Sequence, residues 1–239
     1  MKSTVKLIDV PGAFKGMPHQ TAALHWLQDW MLAHAPEALE EFSTMFRADP
    51  EPQPSAAPGR WTNPLAVPYF SQRDSAVAGQ ANRMCFSSSC AMLVAYFKPN
   101  ALSGSNGDDT YLMRVLTYGD TTDASAQLKA LQYFGITATF VTNANFETLR
   151  QQIDRGIPVP CGYLHHGTSK APTGGGHWLT VIGYTPQSVI VNDPFGEMDV
   201  ANGGYLNTNG KALAYSQANW GPRWMADGPG TGWAILAKP

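Results

Sequence analysis

An α+β fold, helices largely ahead of an antiparallel sheet, is predicted by two patterns and one size argument. Apolar residues at helical spacing dominate the first two thirds of the chain, and short apolar runs bounded by turn residues dominate the last third. The chain has 239 residues, enough for one good-sized core plus an appendage, since single cores grow to about 250 residues before splitting. The reading divides the chain into an N-terminal helical extension over 1–48, a Pro-rich linker over 49–63 and a main domain over 64–239.

Residues 19–34 place Ala23, Leu24, Leu27, Trp30 and Met31 at helical spacing, and 36–46 continue with Leu39, Phe42 and Phe46. This predicts a helical hairpin. Pro50, Pro52, Pro54 and Pro58 follow. Proline lacks the amide donor and restricts the residue before it, so this stretch is extended linker. Next, 65–70 is predicted as a short strand and 87–97 as a buried helix stopped by Pro99. Helices are predicted at 109–117 and 123–134, ended by Gly119 and Gly135 in left-handed conformation, and at 146–155. Strands are predicted at 137–142, 159–164, 177–184, 188–191 and 232–237, and a weak helix at 213–218.

Composition excludes several function classes. Hydrophobic residues make up 44% and charged residues 14% of the chain, with formal net charge −2. Disorder throughout is therefore excluded, and no Lys/Arg cluster interleaves with aromatics as a nucleic-acid groove requires. Three cysteines, an odd number, do not make a disulfide framework. No run of about 18 apolar residues predicts a membrane span. The charged start, Met1-Lys2-Ser3-Thr4-Val5-Lys6, is unlike a secretory signal, so synthesis as a cytoplasmic chain is expected.

The chemistry centres on Cys85. It precedes Ser87-Ser88-Ser89, good N-cap residues, where a polar segment turns into a helix. A helix N-terminus and a neighbouring imidazolium both lower a thiol's pKa from about 8.5 toward roughly 3.5–7.5, yielding the nucleophilic thiolate. Cys90 and Cys161 fall in apolar runs and are expected to be small buried hydrophobes. His177 follows Gly174-Gly175-Gly176 and opens an apolar strand, a position suited to proton transfer. Five other histidines compete, His165 and His166 nearest in sequence. Asp193 follows His177 across two strands joined by a turn at Gln187, which would bring the strand ends together and let a carboxylate fix the imidazole tautomer. An oxyanion donor is also needed. Gln72 qualifies if the 73–84 loop folds back, with Gln80 the alternative.

Val67-Pro68-Tyr69-Phe70-Ser71-Gln72, Cys85 with Ser88-Ser89-Cys90-Ala91-Met92, Gly176-His177-Trp178-Leu179-Thr180-Val181-Ile182-Gly183-Tyr184 and Val191-Asn192-Asp193-Pro194-Phe195-Gly196 together resemble the bacteriocin-processing-like cysteine peptidases of the papain-like superfamily. The resemblance covers about 64–239. It implies Cys85 as nucleophile, His177 as base, Asp193 as orienting acid and Gln72 as oxyanion donor, with no cofactor and no metal. Family members carry Cys-Gly-Pro-Thr/Ser where this chain has Cys85-Phe86-Ser87-Ser88, so Phe86 is expected to narrow the cleft.

The expected substrate is a peptide of the bacterial wall, as for a phage-type lysin, with the N-terminal helices contacting wall or virion. Leader-peptide processing, a transglutaminase-like acyl transfer and a non-catalytic wall-binding module are the competing readings. Oxygen ligands at Asn106, Asp108, Asp109 and Asp120 also suggest calcium, but helix capping by Asp108 is the preferred account, because the twelve-residue spacing of an EF-hand is missing.

Overall fold

The computed structural model describes residues 63–238. The helical extension expected over 1–48 lies outside the described residues, as does the linker up to residue 62. Five helices and a six-stranded antiparallel sheet organise the described part. None of these helices is long and apolar enough to cross a membrane.

Helix α1 (Cys85–Phe97) is buried continuously from Phe86 to Ala95. A helix apolar on all sides has no solvent face, and this one runs through the core against α2 (Gly107–Leu116), α3 (Ala124–Tyr133) and the sheet. It starts two residues earlier than expected, at Cys85, with Met84 as N-cap and no side-chain cap. The three serines are therefore not caps. Thr121 Oγ1 lies 2.8 Å from Ser87 Oγ, Ser88 donates to Asp108, and Ser89 offers its carbonyl to Thr180. Their hydroxyls and carbonyl bolt the helix to its surroundings.

The sheet is built from β1 (Thr137–Ala144), β2 (Val159–Tyr163), β5 (His177–Tyr184), β6 (Ser188–Asn192), β9 (Leu213–Ser216) and β10 (Gly232–Lys238), in the order β1-β10-β2-β5-β6-β9. Two small hairpins flank it, β3 (His166–Thr168) with β4 (Ala171–Thr173), and β7 (Glu197–Met198) with β8 (Tyr205–Asn207). β5 is central and nearly all buried, which explains its unbroken apolar run. Helices α4 (Phe146–Asp154) and α5 (Gln217–Trp224) pack on the sheet.

Three expectations are corrected. Residues 65–70 form no strand. Pro64 and Pro68 withhold donors, and the segment runs extended, tied by Leu65 N to Ile182 O and Asn192 Nδ2 to Val67 O. Residues 213–218 are a strand first, β9, and helix α5 begins only at Gln217 with Ser216 as its cap. Of the two glycine stops, Gly135 is left-handed (φ 76°) and Gly119 is not. Gly119 is needed for space, since a Cβ there would lie 2.9 Å from Asp123 Oδ2.

Asp108 is also not a cap. Asn106 precedes α2 as N-cap, while Asp108 is fully buried in the first turn and accepts the Ser88 hydroxyl at 2.6 Å. Its Oδ1 has no hydrogen-bond partner. Burial pushes its carboxyl up, the Ser88 bond opposes this, and Asp109 and Asp74 add to the rise, leaving it at about 7. Because the folded value exceeds the unfolded one, this group favours folding most below pH 4, and that contribution is lost as pH rises through 7. Asp108→Asn should therefore gain stability relative to the parent chain as pH rises from 4 to 8, by about 3 kcal/mol in total, read from urea unfolding across that range. A flat difference between the two proteins would contradict it.

Candidate active site

The site lies where the N-terminus of α1 meets the open end of β5. Cys85 is the first residue of α1 and half-buried, so its sulfur sits where the first amides of the helix have no intrahelical acceptor and the dipole is positive. It opens on a crevice of about 650 Å³ that is also lined by Gln72, Phe86, His177, Phe195 and Tyr205. Phe86 stacks on Trp178 with centroids 3.6 Å apart and planes 4° from parallel. The two rings come from neighbours of Cys85 and His177, so their stacking sets how closely helix and strand approach. Phe86 thus forms part of the crevice wall, as its replacement of a small residue predicts.

His177 is the first residue of β5, opposite Tyr163 in the register with β2. Its Nε2 lies 2.7 Å from Asp193 Oδ1, and the ring shares the crevice with Cys85. With Nε2 committed to the carboxylate, Nδ1 is the nitrogen left for the thiol. Burial alone would push the imidazole down. Asp193 and Cys85, as charges and as hydrogen-bond partners, overcome this and hold it up at about 10.

Asp193 follows the end of β6, and the β5–β6 pairing that starts with Thr180 opposite Asn192 brings it back beside His177. It is fully buried. Oδ1 also accepts the Phe195 amide at 3.0 Å, and Oδ2 accepts the Tyr163 hydroxyl at 2.8 Å and that of Tyr215 at 3.4 Å. Burial first, then Asp193, push both phenols up, so they stay protonated donors. The Asp193 amide donates to Gly210 O and its carbonyl accepts the Tyr69 hydroxyl. A side chain at Gly210 would collide with that carbonyl.

Gln72 opens a short 3-10 turn (Gln72–Asp74), nearly fully buried. Its amide donates to Pro194 O, tying it to the residue after Asp193. The 73–84 loop folds back, and Gln72 Nε2 donates to Ala81 O at 2.9 Å. An amide nitrogen carries two hydrogens, so one remains for the crevice. Gln72, and not Gln80, lines that crevice.

The four residues singled out from sequence therefore converge, and the competitors separate from them. His165 lines the crevice with its ring 5.6 Å from that of His177, but of these two imidazoles it is His177 that Asp193 bonds. Burial, then the charges of His177 and His166, push the His165 imidazole down to about 4. Cys90 and Cys161 are fully buried and their thiols pushed up by desolvation, as expected of inert core residues. Sequence reasoning missed Tyr163, Tyr215, Phe195 and Gly210. Only Tyr163 carried a signal, as the residue that pairs with His177 once β2 and β5 are set in register.

Among the described residues no group of three or more His, Cys, Asp or Glu is arranged to hold a metal ion. The carboxylates considered for calcium are engaged separately: Asp108 with Ser88, Asp109 with Ser75 and Ala76, Asp120 with Arg83 and Thr122.

The family model described as Peptidase C39 like matches residues 64–220. No curated protein matches the chain in sequence. Among solved structures, a candidate C39-like peptidase from Bacillus anthracis is 16% identical over 73% of this chain and 95% of its own, with TM-score 0.43. The peptidase domain of Streptococcus ComA, a bi-functional ABC transporter in quorum sensing, is 16% identical over 66% and 93%, with TM-score 0.44. A double-glycine-motif protease from an AMS/PCAT transporter, in complex with the leader peptide, is 16% identical over 77% and 96%, with TM-score 0.42. The match over residues 64–220, which carries the whole Gln72, Cys85, His177 and Asp193 constellation, makes this chain a member of the Peptidase C39-like family and a papain-like cysteine peptidase of α+β fold.

Proposed function

We propose that Cys85 is the nucleophile, His177 the acid and base, Asp193 the orienting carboxylate and Gln72 an oxyanion donor in hydrolysis of peptide bonds, and that the catalytic domain spans 64–239. One observation carries this reading: Cys85 and His177 line one crevice, and His177 Nε2 lies 2.7 Å from the buried Asp193 carboxylate. An imidazole held up at about 10 keeps its proton at neutral pH, which stabilises a thiolate beside it. Sulfur attacks the carbonyl carbon, the carbonyl electrons move to oxygen, and the first amides of α1 with Gln72 Nε2 receive the oxyanion. His177 gives its proton to the leaving amine. Water, deprotonated by His177, then releases the acyl group and restores the thiol pair.

The substrate proposed is a bacterial wall peptide, the stem or cross-link peptide of peptidoglycan. An aromatic-walled crevice supports it, because Phe86, Phe195 and Tyr205 offer faces to a chain poor in large side chains. Incubation with purified peptidoglycan should release soluble peptides with new amino termini, detected by mass spectrometry. Cleavage confined to linear leader-like peptides would leave the peptidase standing and end the wall substrate.

Three outcomes test the roles. Cys85→Ala and His177→Ala should abolish cleavage with unchanged far-UV circular dichroism, while Asp193→Asn is impaired less; full activity in either alanine variant would refute the mechanism. Gln72→Ala should lower kcat about 10²-fold with little change in KM, as loss of one oxyanion donor does. In Asp193→Asn the largest raising influence on His177 is gone while burial remains, so its imidazole should titrate well below 10, measured by NMR of the ring protons. An unchanged midpoint would place the raising charge elsewhere.

A further inference from the structure

A second recess of about 240 Å³ adjoins the crevice and shares Gly176, Trp178 and Trp233 with it. Nothing in the mechanism uses it. Gly162 makes the partition possible: Trp178 lies over that position, where a Cβ would sit 2.9 Å from the indole. Gly176 immediately precedes His177, and a Cβ there would meet nothing nearer than Tyr163 O at 3.8 Å, so the shared backbone is open to an incoming chain.

The recess is walled by Trp178, Trp224 and Trp233, with the exposed carboxylate of Asp227 at its rim. Trp224 is fixed, stacked on Trp220 and donating its Nε1 hydrogen to Trp233 O. Trp233 is 49% exposed, so one indole surface remains for a ligand. Indole faces attract cations through the ring quadrupole, and a carboxylate at the mouth adds to that attraction. Arg223 also borders the recess, but it is fully buried and donates to the carbonyls of Val200, Leu164, His166 and Gly167. Its donors are spent on four backbone carbonyls, whereas Asp227 lines the recess and is exposed to solvent.

We infer that this recess is a specificity subsite for the side chain of lysine or another diamino residue next to the scissile bond, its methylene stem along Trp178 and Trp224 and its ammonium between Trp233 and Asp227. The inference rests on the peptidase reading of Cys85 and His177. A stem of four methylenes suits a walled recess of this size better than a short side chain does.

A positional-scanning peptide library carrying Lys, norleucine or Glu around the cleaved bond, read by mass spectrometry, tests it. At one position flanking that bond Lys should exceed norleucine in kcat/KM by about fivefold to tenfold, the range of one exposed ion pair with one cation–π contact. Asp227→Asn should bring the ratio close to one, and Asp227→Lys should turn the preference toward Glu. Equal rates for Lys and norleucine, or a Lys preference untouched by both variants, would overturn the subsite while Cys85-dependent cleavage kept the peptidase. Absence of any Cys85-dependent cleavage would instead bring down the reading on which the subsite rests, and the two failures are separable in the same data.

Discussion

The buried contact between His177 and Asp193 is the constraint on which the rest of the site depends. A carboxylate with no solvent exposure needs hydrogen bonds at both oxygens, and Asp193 receives them from His177, Phe195 N, Tyr163 and Tyr215. Those donors come from β5, β2, β9 and the turn after β6. Sheet order therefore follows the needs of one anion: the two tyrosines can reach Oδ2 only if β2 and β9 flank the β5–β6 pair. Removing one partner of a buried pair leaves the other uncompensated, typically at a cost of about 3–5 kcal/mol.

The thiol is set by a different set of contacts. α1 crosses β5 with Thr180 Oγ1 bonded to Ser89 O at 3.0 Å and Phe86 stacked on Trp178. One contact is polar and directional, the other broad and apolar. Together they fix the helix along and across the strand, so Cys85 meets His177 without any loop having to position it. Ser87 and Ser88 secure the other flank through Gln127 and Asp108. The residue types that looked like a helix cap are instead the fastening of a helix that must not move relative to β5.

How much was legible in the chain differs between elements for physical reasons. Strand β5 was readable to the residue because it is buried on both faces, preceded by glycines and followed by Thr185-Pro186. The nucleophile, base and acid were readable because each stands where a regular element begins or ends, and order along the chain supplied the rest. Residues 65–70 misled because an apolar stretch is extended both in a ladder and against a core, and only Pro64 and Pro68 separate the two. Residues 213–218 misled because Tyr215 is apolar in pattern but serves Asp193 through its hydroxyl. Tyr163, Tyr215 and Gly210 could not be found from spacing, since their roles exist only once distant strands are in register. The serines after Cys85 show the same limit: a hydroxyl three residues into a helix reads identically whether it caps the helix or bonds a carboxylate in the core.

The charges around the site favour a proton on His177 over one on His165. His165, with its ring 5.6 Å from His177, is kept neutral by burial and by the charge on its neighbour. Two adjacent cations in a partly buried wall would repel each other and weaken the pairing with Asp193. Arg223, another buried cation, has its donors committed to the carbonyls of Leu164, His166, Gly167 and Val200. Three of those carbonyls belong to the strand end and hairpin that carry His165 and His166, and the fourth to the turn after β7, so this arginine holds the wall of the crevice. A neutral or shorter residue at 223 would leave those buried carbonyls without their donors and free the wall.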